Sequence, residues 1–134
     1  MIVEVALALL WARLLCLLPM RTWVRLAGLR IAAAAPPIDA ADAELGALVR
    51  CLRGVARRAP WRANCLPQAI AAMQLLRRRG YRPVMYLGAR RLQPGNSATM
   101  LAHAWVMCAG RMVCGGGAEK HYHSVAALCG ADDA

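Results

Sequence analysis

The stretch that decides the fold is residues 99–114, which read TMLAHAWVMCAGRMVC. Small apolar side chains alternate with the larger His103 and Trp105 along its first part. Ala109–Gly110 then interrupts the pattern for two residues. Alternation with a period of two indicates a strand, and a two-residue break containing glycine indicates a hairpin turn. We therefore predict antiparallel strands over Thr99–Cys108 and Arg111–Cys114.

The same alternation sorts the side chains of the first strand onto two faces. Ala102, Ala104 and Val106 share one face, where small residues suit close packing against a helix. His103 and Trp105 share the other face, and a polar tip beside a large ring fits the edge of a cleft.

The two-residue turn also predicts a register for the hairpin. Counting back from the turn pairs Cys114 with Trp105 and Gly116 with His103. The same register puts Cys108 and Cys114 on opposite faces of the sheet. The glycine run that follows is expected to end the sheet.

The chain before the hairpin reads as helices separated by proline and glycine breaks. In the third helix acidic residues come first and arginines last, as the helix dipole favours, with Asp39 as the N-cap. We predict helices over Ile2–Leu18 and Arg21–Ile31, from Asp39 to Arg58 and from Asn64 to Gly80, a strand over Pro83–Arg90, and a short helix near Glu119–Leu128. Helices first and antiparallel strands later define an α+β fold.

The composition is that of one folded domain. The chain has 134 residues, of which 60% are apolar, enough for a core and too many for a disordered tail. We expect a single domain over 1–134, with an N-terminal helical part (1–34) and a core (38–134). The net charge is +10, and all cations but Lys120 are arginines, which favours acidic partners without choosing among peptide, protein, nucleic acid and anionic lipid.

The apolar segment Val5–Met20 is too short to span a membrane. It has about 16 residues where roughly 20 are needed, and it contains Arg13. We expect a buried or interface helix, with peripheral membrane contact as the alternative. The N-terminus lacks the pattern of a secretory signal, so the six cysteines are expected to be free thiols in the cytoplasm.

Cys65 is the candidate nucleophile because it opens a predicted helix behind the cap residue Asn64. Unpaired N–H groups and the positive end of the dipole favour thiolate, which lowers the pKa of a thiol from about 8.5. The Cys65 N–H is also a candidate oxyanion donor. The alternative is a small buried residue without chemistry. Gln68, one turn later, is a candidate substrate contact.

His103 is the candidate base, since a Cys–His pair needs an imidazole to take the thiol proton and return it to the leaving amine. A lone strand histidine is more often structural, and the cysteine 38 residues upstream favours the catalytic interpretation. Trp105 and Trp61 are candidate walls of the substrate cleft. Packing in the helical layer is the alternative for Trp61 and the expectation for Trp11 and Trp23.

These residues lie in a pattern that resembles a known family. The quoted segments are CLPQA at 65–69, LLRRRGY at 75–81, LGAR at 87–90, AHAWV at 102–106 and GR at 110–111. The pattern is similar to the transglutaminase-like cysteine peptidases of lasso peptide biosynthesis, the B-protein family, over most of the chain. The resemblance implies a papain/transglutaminase-like fold in which a nucleophile-bearing helix packs on a small antiparallel sheet.

The resemblance also implies an activity and partners. Members remove the leader from a ribosomal precursor peptide, with Cys65 as nucleophile and His103 as general base and acid, and without a cofactor or metal. An ATP-dependent lasso cyclase then closes the ring. The chain resembles the split form, which lacks the leader-recognition domain and relies on a separate recognition protein.

One feature departs from the family pattern, in which an Asp on the strand after the His motif completes the triad. Residues 114–117 contain no carboxylate. Glu119 is the nearest downstream acid and a candidate for the third member. Otherwise a backbone carbonyl or Asn64 would have to orient His103.

Three other interpretations use the same residues. Cys108, Cys114, His121 and His123 have the chemistry of zinc ligands, although their spacing matches no common zinc motif. The scattered arginines allow nucleic-acid binding without a recognisable module. The third alternative is a non-catalytic scaffold that docks the partners of the same maturation complex.

Overall fold

A computed structural model describes residues 1–31, 42–58, 65–91, 100–115 and 123–130. The helices of these residues are α1 (Ile2–Leu15), α2 (Met20–Leu26), α3 (Ala43–Arg58) and α4 (Cys65–Arg78). The strands are β1 (Leu29–Ile31), β2 (Val84–Arg91), β3 (Met100–Cys108), β4 (Arg111–Cys114) and β5 (His123–Gly130).

The strands form a sheet in the order β1-β5-β2-β3-β4, and every neighbouring pair is antiparallel. Helix α4 packs mainly on β3 and also touches β2, β4 and β5. Ala104 and Val106, on the small-residue face of β3, are both buried, as the alternation predicts. The α+β architecture, helices followed by a small antiparallel sheet, is confirmed.

The helical layer is built around α4, which contacts α1 and α3. One face of α1 enters the core, with Val5, Leu9 and Ala12 each 0% exposed at helical spacing. Arg79, just beyond α4, links the helices through charge. Its guanidinium donates to both carboxylate oxygens of Glu4, at 3.0 and 2.9 Å, and lies 3.5 Å from a carboxylate oxygen of Glu44.

Asp42 begins α3. Its Oδ1 accepts the backbone N–H of Leu45 at 2.9 Å, the contact of an N-cap residue, and it also accepts the hydroxyl proton of Tyr81. The hydrogen bond from Tyr81 lowers the pKa of Asp42, and the same bond raises the pKa of Tyr81 to about 12. The predicted cap Asp39 lies outside the described residues, and Asp42 is the cap that the described part of α3 uses.

The expectations for two elements and for one tryptophan are wrong. The predicted helix Arg21–Ile31 ends at Leu26, and Leu29–Ile31 instead pairs with β5 as an edge strand. Most of the predicted helix Glu119–Leu128 is strand β5, because its apolar residues complete the sheet between β1 and β2. Trp23 is buried as expected, whereas Trp11 is 40% exposed on the outer face of α1.

The β3–β4 hairpin has the predicted turn, and its register departs from the prediction two residues later. Cys108 pairs with Arg111 across Ala109–Gly110. A bulge then makes Cys114 face Val106 instead of Trp105. The extra residue, Val113, and Cys114 are both buried against the helices, so the hydrophobic core decides the shift.

Candidate active site

The His103 side chain is held by a backbone carbonyl. Its Nε2 lies 2.7 Å from the carbonyl oxygen of Gly115, directly after β4. A carbonyl can only accept, so Nε2 carries the proton of the neutral ring and Nδ1 carries the lone pair. This is the tautomer that a general base needs if it takes a proton through Nδ1.

Glycine is required at position 115. Its φ is +78°, and a Cβ there would lie 2.4 Å from the Ala104 carbonyl oxygen and 2.8 Å from the Trp105 Cβ. No side chain fits at those distances without moving the backbone. The bulge and this glycine together bring the carbonyl to the imidazole. The expected partner, Gly116, lies outside the described residues.

Aromatic rings continue the site along the same face of the sheet. The Trp105 ring is stacked 5.8 Å from the His103 ring and 5.8 Å from the Tyr86 ring, measured between centroids. Across from His103 on β2 is Gly88, which has no side chain, and the next position across is Ser124 of β5. His103 is half-buried and Trp105 is 8% exposed. The prediction that His103 and Trp105 share a face of the strand is confirmed, and their rings are stacked on that face.

Cys65 is the first residue of α4, as the sequence predicts. The helix it opens packs on β3, the strand that carries His103. The Cys65 side chain lies outside the described side chains, so the approach of its sulfur to His103 stays a prediction. Trp61, Asn64 and Glu119 also lie outside the described residues.

A charged cleft lies beside the first turns of α4. It has a volume of about 490 Å³ and is lined by Gln68 of α4 and by Arg50, Arg53, Ala56 and Arg57 of α3. Gln68 lines this cavity, and its contact with a substrate stays a prediction. Arg50, Arg53 and Arg57 do not stand out in the sequence among the many cations of the chain. The signal that could have distinguished them is their spacing on α3, which places them on one helix face.

The described residues contain no group of three or more His, Cys, Asp or Glu side chains that could hold a metal. The bulge does correct one argument about zinc. Because Cys114 faces Val106, it shares the buried face with Cys108 rather than pointing to the opposite one. Of the other two proposed ligands, His121 lies outside the described residues, as does the side chain of His123.

Comparison with known proteins identifies the family of the chain. A profile of the Transglutaminase-like superfamily matches residues 6–127. The chain therefore belongs to the Transglutaminase-like superfamily, which includes cysteine peptidases and in which Cys–His catalysis is common. No curated protein and no solved structure matches the chain.

Within the described residues, no helix is both long enough and apolar enough to cross a lipid bilayer. Helix α1 has 14 residues, which is about 21 Å at the rise of an α-helix and less than the roughly 30 Å of a hydrocarbon core.

Proposed function

We propose that the protein is a cysteine peptidase that removes the leader from a lasso-type ribosomal precursor. The observation that carries this proposal is the hydrogen bond from His103 Nε2 to the Gly115 carbonyl oxygen. His103 lies on β3, and β3 packs against α4, the helix that begins at Cys65. The superfamily membership supports thiol chemistry, and the segments around Cys65 and His103 support the lasso peptide branch.

The proposed reaction has two steps. His103 Nδ1 takes the thiol proton while Cys65 Sγ attacks the carbonyl carbon of the scissile bond, and the Cys65 N–H stabilises the oxyanion. His103 then gives the proton to the leaving amine, which breaks the peptide bond and leaves a thioester on Cys65. Water, activated by the same imidazole, hydrolyses the thioester and frees the enzyme.

The Gly115 carbonyl has the role that an Asp has in the family pattern. It fixes the ring and the tautomer, so the pair can act without a third side chain. A carbonyl is a neutral acceptor and stabilises the imidazolium less than a carboxylate does. We therefore expect slower turnover than that of a triad that contains an Asp. Glu119 stays a candidate for supplying that charge.

The proposed partners are the precursor peptide, a separate leader-recognition protein and an ATP-dependent cyclase. An exposed apolar surface of α1 and the following turn supports a protein partner, because a surface this apolar is unusual on a soluble monomer. Its members with the highest exposure are Ile2 (68%), Val3 (71%), Leu7 (61%) and Leu17 (76%). This surface also favours the scaffold alternative, in which docking is the whole function.

Cleavage of the cognate precursor by purified protein tests the proposal. We expect Cys65→Ala and His103→Ala each to lower kcat/KM by about a thousandfold or more, because each removes a group that takes part in bond making or proton transfer. Cys51→Ala, which removes a half-buried thiol on α3, is the matched control and should cleave normally. Normal cleavage by Cys65→Ala would rule out the mechanism.

Alkylation separates the enzyme from the scaffold when the cognate precursor is unknown. Iodoacetamide at neutral pH should label Cys65 well ahead of the other five thiols if it is the activated nucleophile. Equal labelling of Cys65 and the half-buried Cys16 and Cys51 would favour the scaffold.

A further inference from the structure

The arginine-lined cleft between α3 and α4 is the strongest unassigned feature of the described residues. Arg50, Arg53 and Arg57 occupy positions i, i+3 and i+7 of α3, so all three guanidinium groups leave the same side of the helix. They converge with Gln68 on a cavity of about 490 Å³. Three cations on one wall give the cleft the charge that an anion-binding surface needs.

The cleft arginines are crowded by further positive charge. Arg53 Nη2 donates to the Met112 carbonyl oxygen at 3.3 Å, which ties α3 to β4. A Cβ built on Gly46 would lie 3.4 Å from a terminal nitrogen of Arg50 and 3.4 Å from one of Arg111, so those two guanidinium groups are neighbours. An anion placed between the Arg50 and Arg111 guanidinium groups relieves their mutual repulsion.

The described residues include three carboxylates, Glu4, Asp42 and Glu44, and these contact Arg79 or Tyr81. The ion pairs of these residues join Arg79 to Glu4 and Glu44, and none includes an arginine of the cleft. Arg50 and Arg57 are exposed. Because these two side chains are exposed, an external anion can reach them.

The cleft lies next to the proposed nucleophile. Gln68 follows Cys65 by three residues, which is about one helical turn. The N-terminal end of α4 adds partial positive charge to the same region. A peptide bound with its scissile bond at Cys65 would therefore pass this cleft within a few residues of the cut.

We propose that this cleft binds the acidic side chains of a peptide substrate and selects for a carboxylate near the scissile bond. The proposal rests on the proposed function, because it names the substrate class of that site. From Arg50 to Arg57 the helix rises about 10 Å, the length of roughly three extended residues. Arginine pairs with carboxylate through two parallel hydrogen bonds, which gives direction as well as charge.

An acidic peptide fits better than a nucleic acid. The described residues that line the cleft are three arginines, an alanine and a glutamine, and none of these carries the aromatic ring on which single-stranded nucleic acid usually stacks its bases. The length of the arginine row also suits a few side chains rather than an extended phosphate backbone.

The test uses the full-length Cys65→Ala protein, which binds without turnover. The probes are a rhodamine-labelled nonapeptide with three adjacent glutamates, its glutamine counterpart, and a labelled nine-nucleotide oligothymidine, each titrated by fluorescence anisotropy at physiological salt. We expect the glutamate peptide to bind at least about tenfold more tightly than the glutamine peptide, and more tightly than the oligonucleotide.

Two exposed cleft arginines are changed together. Arg50→Gln with Arg57→Gln should weaken binding of the glutamate peptide about tenfold or more, and Arg25→Gln, an exposed arginine on α2, is the matched control that should not. Arg53 is left intact because it contacts β4, and thermal melts of each variant confirm folding. Equal affinity for the two peptides, an equal loss in Arg25→Gln, or tighter binding of the oligonucleotide overturns the proposal.

Failure of this proposal and failure of the peptidase are distinguishable. Charge-dependent binding that depends on Arg50 and Arg57 supports the cleft even if wild-type protein cleaves nothing. Cleavage of precursor variants at the same kcat/KM with Glu or Gln near the cut overturns the cleft and leaves the peptidase standing.

Discussion

At the scale of single residues, the carbonyl oxygen of Gly115 determines how the candidate base is presented. It accepts from His103 Nε2 at 2.7 Å, and no other residue type fits its backbone position. The orienting group of this site is therefore part of the main chain, and it depends on the course of β4. A substitution at Gly115 acts on His103 without touching it directly.

Gly115→Ala tests this arrangement. The methyl group would meet Ala104 and Trp105, so the carbonyl must move and its hydrogen bond to His103 should be lost. Long-range proton–nitrogen NMR should show neutral His103 protonated at Nε2 in the wild type and as a tautomer mixture in the variant. Activity should fall by about a hundredfold, since small displacements of a catalytic group have effects of that size.

Gly80→Ala is the matched control for Gly115→Ala. Gly80 also has a positive φ of +87°, and a Cβ there would meet no atom within 4 Å, so it introduces backbone strain away from the site. An unchanged His103 tautomer in Gly115→Ala would show that the carbonyl does not orient the ring.

At the scale of elements, the β3–β4 hairpin is held by a turn with two left-handed residues. Ala109 has φ +54° and Gly110 has φ +72°, the signs that a type I′ turn needs at both central positions. Glycine adopts this conformation at no steric cost, whereas an alanine there is strained by about 1 kcal/mol. The hairpin forms because strand pairing and core burial outweigh that strain.

Ala109→Asn should stabilise the protein by about 0.5–1 kcal/mol, because asparagine tolerates the left-handed region and is preferred at this turn position. Urea unfolding followed by circular dichroism measures the change. Gly110→Ala is the opposing variant and should destabilise by about 1–2 kcal/mol, since its methyl group meets no atom and only the backbone is strained. Equal midpoints for both variants would contradict the turn assignment.

At the scale of the whole molecule, a few carboxylates hold a strongly basic chain together. Arg79 joins the start of α1 and the start of α3 to the end of α4 through Glu4 and Glu44. The chain has only 7 acids against 17 cations, so each acid that is paired in the folded state also offsets repulsion. Stability should therefore depend on the ionisation of these acids.

Stability should fall in acid. The hydrogen bond from Arg79 lowers the pKa of Glu4 below its ordinary value of 4.5, and the hydrogen bond from Tyr81 lowers the pKa of Asp42 below 3.8. A lowered pKa stabilises the folded state above the ordinary value, and that stabilisation is lost as the pH falls through the folded pKa. Melting temperatures should be flat near neutral pH and drop below about pH 4.5.

The double variant Glu4→Gln with Asp42→Asn checks the source of this acid sensitivity. It removes both titrating groups and keeps side chains of similar size, and asparagine remains a good N-cap. We expect a smaller loss of melting temperature between pH 6 and 3 than in the wild type. The same loss in both proteins would show that other groups are responsible.

The sequence alone determined the α+β class, the hairpin turn, the helix that begins at Cys65 and the small-residue face of β3, because each depends on local pattern over a few residues. The edge strand β1, strand β5 and the bulge near Val106 were decided by the tertiary structure, because their short apolar segments acquire a conformation only from the neighbours they pack against. The same holds for the Gly115 carbonyl and the arginine cleft, whose members meet only when β4 returns beside β3 and α3 packs near α4.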